Sequence, residues 1–177
     1  RTFLWSALFF AGCYDPGPYG YDRLYVPSSA EQAYVESARQ PAYNEVRSDP
    51  VRFENQVITW FGVVSDVTPP ARGSDVTVVK LSHRIHQERH LCTDMERETC
   101  RVTVSDRSEG PFTIRTRMRP EDVRGRNRMQ QGSMVRVYGT VTGDYDADGG
   151  PILEARLYRH WPRGQYVTAQ ARSDMRR

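Results

Sequence analysis

The chain has 177 residues, 27% charged and 38% apolar, with 25 basic against 22 acidic residues and a net charge of +3. These values sit near the globular average, and the charge is too small and too dispersed to name a nucleic acid or an anionic membrane as partner. Three cysteines exclude a small disulfide-rich scaffold, and no apolar run approaches the ~18 residues of a membrane-spanning helix.

Taken in chain order, the N-terminus carries the first signal. Arg1 precedes the apolar stretch Thr2-Phe3-Leu4-Trp5-Ser6-Ala7-Leu8-Phe9-Phe10-Ala11-Gly12, which ends in two small residues before Cys13. A basic residue, a short apolar core and a small-residue cleavage site describe a secretory signal over residues 1–12. Because the sequence opens on arginine, a few upstream residues are expected before it. Phe10-Ala11-Gly12-Cys13 resembles the lipobox of bacterial lipoproteins, with Phe10 at the usual leucine position. The resemblance implies lipidation of Cys13, and two or more acyl chains anchor stably where one binds reversibly. Tyr14 stands where an aspartate would signal inner-membrane retention, which points to the outer membrane.

Residues 13–49 read as a tether with a short helix. Tyr14 to Asp22 is rich in proline, glycine and tyrosine without periodicity. Ser29-Ala30-Glu31-Gln32 has capping-box form, so a helix is expected over Ala30 to Arg39, ahead of Pro41. The core-forming region spans residues 50–168, with residues 169–177 as a C-terminal tail. Within it the apolar period is two. Gln56 to Val67 is a long strand rich in β-branched and aromatic residues, with Gly62 placed for a bend. Val76 to Leu81 begins a second strand. Cys100–Val104 and Phe112–Arg115 form a third strand or two pieces of one, broken at Glu109-Gly110-Pro111. Pro120-Glu121-Asp122-Val123-Arg124 has the proline and acids of a helix first turn. Met134–Val141 and Ile152–Tyr158 are the last two strands, joined by a loop over 143–150. Three strands, a short helix and two strands are the order of an all-β, five-stranded OB-like barrel.

Phe53 to Val64, then Pro120 to Gly125, then Gly132 to Val141, then Tyr158-Arg159-His160-Trp161 resemble, in order and spacing, the Slp family of starvation-inducible outer-membrane lipoproteins. The resemblance implies a lipid-anchored outer-membrane protein with a periplasm-facing OB-like domain, a structural or stress-response role and no established catalysis. The chain departs from that family in its long His- and Cys-bearing excursion between the second and third strands.

That excursion holds His83, His86 and His90, at i, i+3 and i+7, then Cys92 and Cys100. Imidazole and thiolate at such intervals can ligate zinc or copper, but the spacing matches no standard site. Outside the cytoplasm the cysteines are expected to pair, closing a nine-residue loop worth about 2–3 kcal/mol in the chain-entropy model; a metal site and free thiols are the alternatives. The histidines then read as solvated residues of a strand end and loop. Asp144-Tyr145-Asp146-Ala147-Asp148-Gly149 alternates like a calcium loop, but Glu154 is one position out of register, and a polar hairpin tip accounts for it.

Lys80 is the only lysine, so nearly all the positive charge is guanidinium. Between Arg107 and Arg136 eight arginines face three acids. Arg115, Arg117 and Arg136 are the candidates for binding an anionic envelope polymer such as lipopolysaccharide phosphate or a glycan. With no nucleophile elbow, phosphate loop or zincin helix, catalysis is not expected; His160 is the one candidate base outside the excursion. No cofactor is called for. The expected partners are the membrane through the lipid anchor, other envelope proteins or anionic glycans, and not nucleic acid.

Overall fold

The computed structural model describes residues 20–93 and 99–176. The signal segment, Cys13 and the first part of the tether lie outside the described residues. The elements are β1 (Tyr21–Leu24), α1 (Ser29–Val35), α2 (Tyr43–Ser48), a 3-10 turn (Val51–Phe53), β2 (Val57–Thr68), β3 (Thr77–Arg84), β4 (Arg89–Cys92), β5 (Cys100–Val104), β6 (Pro111–Thr116), α3 (Pro120–Val123), β7 (Met134–Tyr145), β8 (Pro151–Trp161), β9 (Tyr166–Thr168) and α4 (Ala169–Met175).

Five of the strands close into a barrel in the order β2-β3-β6-β8-β7, and β2 and β7 pair to complete the ring. Neighbours are antiparallel except β6 and β8, and α3 lies between the third and fourth barrel strands. This is an all-β fold built on an OB-like barrel. Its framework is β2, whose 12 residues pair with β3 along one edge and β7 along the other. Trp60, Ile58 and Val64 point into the barrel beside Val79, Leu81, Phe112, Ile114 and Leu153. Phe61 points outward into a second apolar cluster with Val102, Val104, Met134 and Trp161. Burial on both faces explains why β2 reads as a nearly unbroken apolar run.

That second cluster lies under a four-stranded sheet of order β1-β4-β5-β9. Cys100–Val104 and Phe112–Arg115 are therefore not one strand. The first is β5 in the outer sheet, and the second is β6 in the barrel. Two-residue alternation marks each as half-buried but carries no information on which sheet it joins.

Residues 20–49 are built into this body. The capping box is set one residue earlier than expected: Ser28 caps α1, and its backbone N–H donates to Glu31 Oε2 at 2.7 Å. The helix stops at Val35, short of Arg39, whose backbone instead bridges β2. Tyr43 and Val46 from α2 enter the barrel core, and the Tyr43 hydroxyl donates to the Pro111 carbonyl at 2.8 Å. At the C-terminus, Arg172 and Arg176 reach Asp22 of β1.

A Cβ placed on Gly62 would lie 2.7 Å from the Phe112 ring and 2.9 Å from Leu81 Cβ. Gly62→Ala should therefore displace the Phe112 ring and cost about 1–3 kcal/mol, read as a lower urea midpoint. An unchanged midpoint would mean that β2 does not need its glycine to curve against Phe112.

Candidate functional site

The barrel's single parallel pair is short. Thr113, Ile114 and Arg115 of β6 face Ile152, Leu153 and Glu154 of β8, and the ladder ends there. Through and beyond the end of this ladder Ile114 and Thr116 stay buried while Arg115 and Arg117 turn outward, as strand alternation requires. From β8, Glu154 and Arg156 are exposed on the facing side. A cavity of about 480 Å³ occupies the seam, lined by these four residues together with Arg119 and Tyr158.

Each guanidinium has a partner. Arg115 Nη1 lies 3.1 Å from Glu154, and Arg117 Nε 2.6 Å from Asp75. Arg156 Nε donates to Thr140 Oγ1 at 2.8 Å. Arg119 Nε donates to Asp122 Oδ2 at 2.8 Å, and its guanidinium lies 4.9 Å over the Tyr158 ring. Three of the four are thus gripped at Nε, on the edge away from at least one terminal amino group.

Behind Arg119 lies a buried polar network. The Asp122 side chain is 5% exposed and takes bonds from His160 Nδ1 at 2.7 Å, the Tyr158 hydroxyl at 2.7 Å and Arg119. Burial alone would raise its pKa, but the bonds from His160, Tyr158 and Arg119 outweigh it and hold the carboxyl at about 2. Because the ionised carboxylate only accepts, His160 Nδ1 donates, which leaves Nε2 buried without a partner. Burial pushes the Tyr158 phenol up to about 12, so it stays a donor to Asp122. The network fixes Arg119 and stays closed to solvent.

The structure brings Arg115 and Arg117 together at the seam and separates Arg136 from them. Arg136 is 8% exposed on the outer face of β7, bonded through Nη1 to Glu31 at 3.3 Å and through Nε to Thr59 at 3.2 Å. The rings of Tyr25, Phe61 and Tyr138 surround its guanidinium within 5.0 Å. It is a buried structural ion, not a surface ligand. Arg119, Arg156 and Tyr158 were missed, although Arg115-x-Arg117-x-Arg119 already has the alternation of one strand face.

The three histidines share no helical face and are not solvated. His83, next to last in β3, lies inside the barrel beside Tyr43, Trp60 and Phe112. His86 and His90 meet in the second cluster with their Nε2 atoms 2.8 Å apart, and His86 stacks on Phe61. Among the described residues no group of three or more His, Cys, Asp or Glu side chains is arranged to hold a metal ion. Cys92 and Cys100 sit opposite each other on β4 and β5 at bonding distance, with their sulfurs 1.94 Å apart. In the acidic hairpin, Asp146 accepts from the backbone of Asp148 and Gly150 and from the Thr113 hydroxyl, while Asp148 pairs with Lys80. These aspartates are occupied in closing the turn.

Fold and seam together define a β-barrel domain of the OB-like class carrying an arginine-lined cavity. No family model matches the chain, and neither the curated proteins nor the solved structures give a match.

The histidines give the fold an acid limit. Burial lowers the pKa of His83 to about 4, of His90 to about 4 and of His86 to about 3, with His90 also repelled by Arg159 and His86 by His90. Their unfolded pKa lies near 6.5, so on acidification the unfolded chain takes up protons first. Stability is complete above pH 6.5 and should fall by up to ~1.4 kcal/mol per pH unit for each histidine down to about pH 4. Asp122, also depressed, extends the loss below that. Melting temperature measured from pH 8 to 4 should drop below 6.5, and a flat profile would contradict the buried neutral imidazoles.

Proposed function

We propose that the chain is a non-catalytic envelope lipoprotein, held at the outer membrane through acylated Cys13 with its barrel facing the periplasm, in a structural or stress-response role. The observation that carries this reading is the cysteine pair: Cys92 and Cys100 stand directly across from each other at bonding distance, and such bonds persist in oxidising compartments. A lipobox at Cys13 is the matching address. Only seven residues separate Cys13 from β1, a reach of at most roughly 27 Å, so the barrel works close to the bilayer surface.

The enclosure of the His160–Asp122 pair supports a non-catalytic role. His160 and Asp122 have side chains only 3% and 5% exposed. Asp122 is committed to Tyr158 and Arg119, an arrangement that positions a guanidinium and presents no nucleophile to solvent.

Mass spectrometry of the mature protein from a bacterial envelope should find acyl chains on Cys13 as the new N-terminus. The chain should also be about two daltons lighter than its dithiol form, a difference that reduction removes. Cys13→Ser should release it to the soluble fraction. An unmodified Cys13 in a cytoplasmic protein with both later thiols free would overturn the reading.

A further inference from the structure

The seam cavity has a composition that selects its ligand. Four arginines, Arg115, Arg117, Arg119 and Arg156, line it with one carboxylate, Glu154, while Asp75, Glu121 and buried Asp122 pair with two of them from its margin. Guanidinium offers a planar fork of donors that matches phosphate oxygens two at a time, and here the Arg119 fork is oriented by buried Asp122 and the Arg156 fork by Thr140. The acids that hold Arg115 and Arg117 are more than half exposed. Such surface pairs contribute about 0–1 kcal/mol, so a doubly charged phosphate can displace them, while Arg119 remains fixed from behind.

Two further features narrow the class. Val76, Ala155 and Leu157 add apolar wall to the same cavity, which suits the C–H face of a sugar ring better than a bare inorganic anion. The only aromatic ring in the lining, Tyr158, is 6% exposed and covered by Arg119. A single-stranded nucleic acid would find no platform on which to stack its bases. The volume of about 480 Å³ falls within the ~300–1,000 Å³ of small-molecule sites.

We propose that the seam cavity binds a phosphate-bearing saccharide, gripped by Arg115, Arg117, Arg119 and Arg156. This deepens the envelope reading and rests on it for the place where the ligand is met. The same chemistry is presented by a glycolipid headgroup and by a soluble sugar phosphate.

The test titrates the full chain in neutral detergent micelles with four probes: a bisphosphorylated glucosamine disaccharide, the same disaccharide without phosphate, inorganic phosphate, and oligothymidylate. The bisphosphorylated disaccharide should bind in the micromolar range and weaken as salt rises. Removing the phosphates or the sugar should cost about tenfold or more, as should Arg115→Gln combined with Arg156→Gln, neither of which touches the buried Asp122 network. Arg89→Gln, exposed on the outer sheet, should change nothing, and melting curves confirm that each variant is folded. Vesicles carrying the acylated disaccharide separate the sources: tighter binding there identifies a glycolipid headgroup, and equal binding a soluble sugar phosphate. Equal affinity for the neutral disaccharide, preference for oligothymidylate, or full binding by the folded double variant would overturn the proposal. Cys13 acylation is read on the same sample. An acylated chain that fails to bind sinks only the ligand, and a binding chain without acyl groups sinks only the anchor.

Discussion

A ring of five strands cannot alternate direction all the way round, because an odd number of antiparallel steps does not return to its starting sense. One neighbouring pair must run parallel, and in this barrel it is β6 and β8. Parallel ladders are slightly less stable per residue and need a crossover connection, here supplied by α3 and β7. The chain keeps the pair to three residues on each strand and then lets the strands part. Every feature of the seam follows from that parity: the cavity, the long side chains that meet across it, and the placing of α3 beside it, which brings Asp122 under Arg119.

A second constraint acts on the opposite wall of β7 and β8. α1 covers Arg136 there, and one carboxylate, Glu31, answers for the burial. It accepts from Arg159 at 2.9 Å, Arg136 at 3.3 Å, the Tyr138 hydroxyl at 3.4 Å, Ser28 N–H at 2.7 Å and the Tyr25 hydroxyl. Burial would raise the Glu31 pKa, yet these donors and the charge of Arg159 hold it below its usual value. Breaking one side of such a set costs about 3–5 kcal/mol, because the remaining charges stay buried unpaired. The segment that leads toward Cys13 is thus fixed to the barrel by electrostatics, where α1, with only Glu31 buried among its seven residues, has little apolar surface to offer.

This division explains what was readable in the sequence. The barrel strands, the bend at Gly62 and the helix opening at Pro120 announce themselves through local pattern, because alternation and turn chemistry are properties of a few adjacent residues. Membership of β5 in the outer sheet depends on partners in β4 and β9, which alternation does not encode. Arg136 reads as an exposed candidate ligand; nothing within β7 signals that Glu31, more than a hundred residues earlier, arrives to cover it. His86 and His90 are misplaced for the same reason, since a polar residue in an irregular stretch reads as solvated until a second sheet closes over it. Arg115 and Arg117 are legible as members of a local arginine excess, whereas Arg156 joins them only through a parallel pairing that skips an entire strand.

The near absence of lysine then acquires a structural sense at the seam. An ammonium is a single point charge, so one acidic neighbour of the kind Arg115 has in Glu154 would leave it largely satisfied. A guanidinium carries its donors on separate edges. It can be anchored at Nε by Asp75, Asp122 or Thr140 and still present terminal N–H groups elsewhere. Anchoring also removes side-chain freedom before any ligand arrives, which lowers the entropic cost of ordering on binding. At Arg119 the acid acts from behind: the buried pair of Asp122 and His160 orients the guanidinium from a position that no ligand can reach.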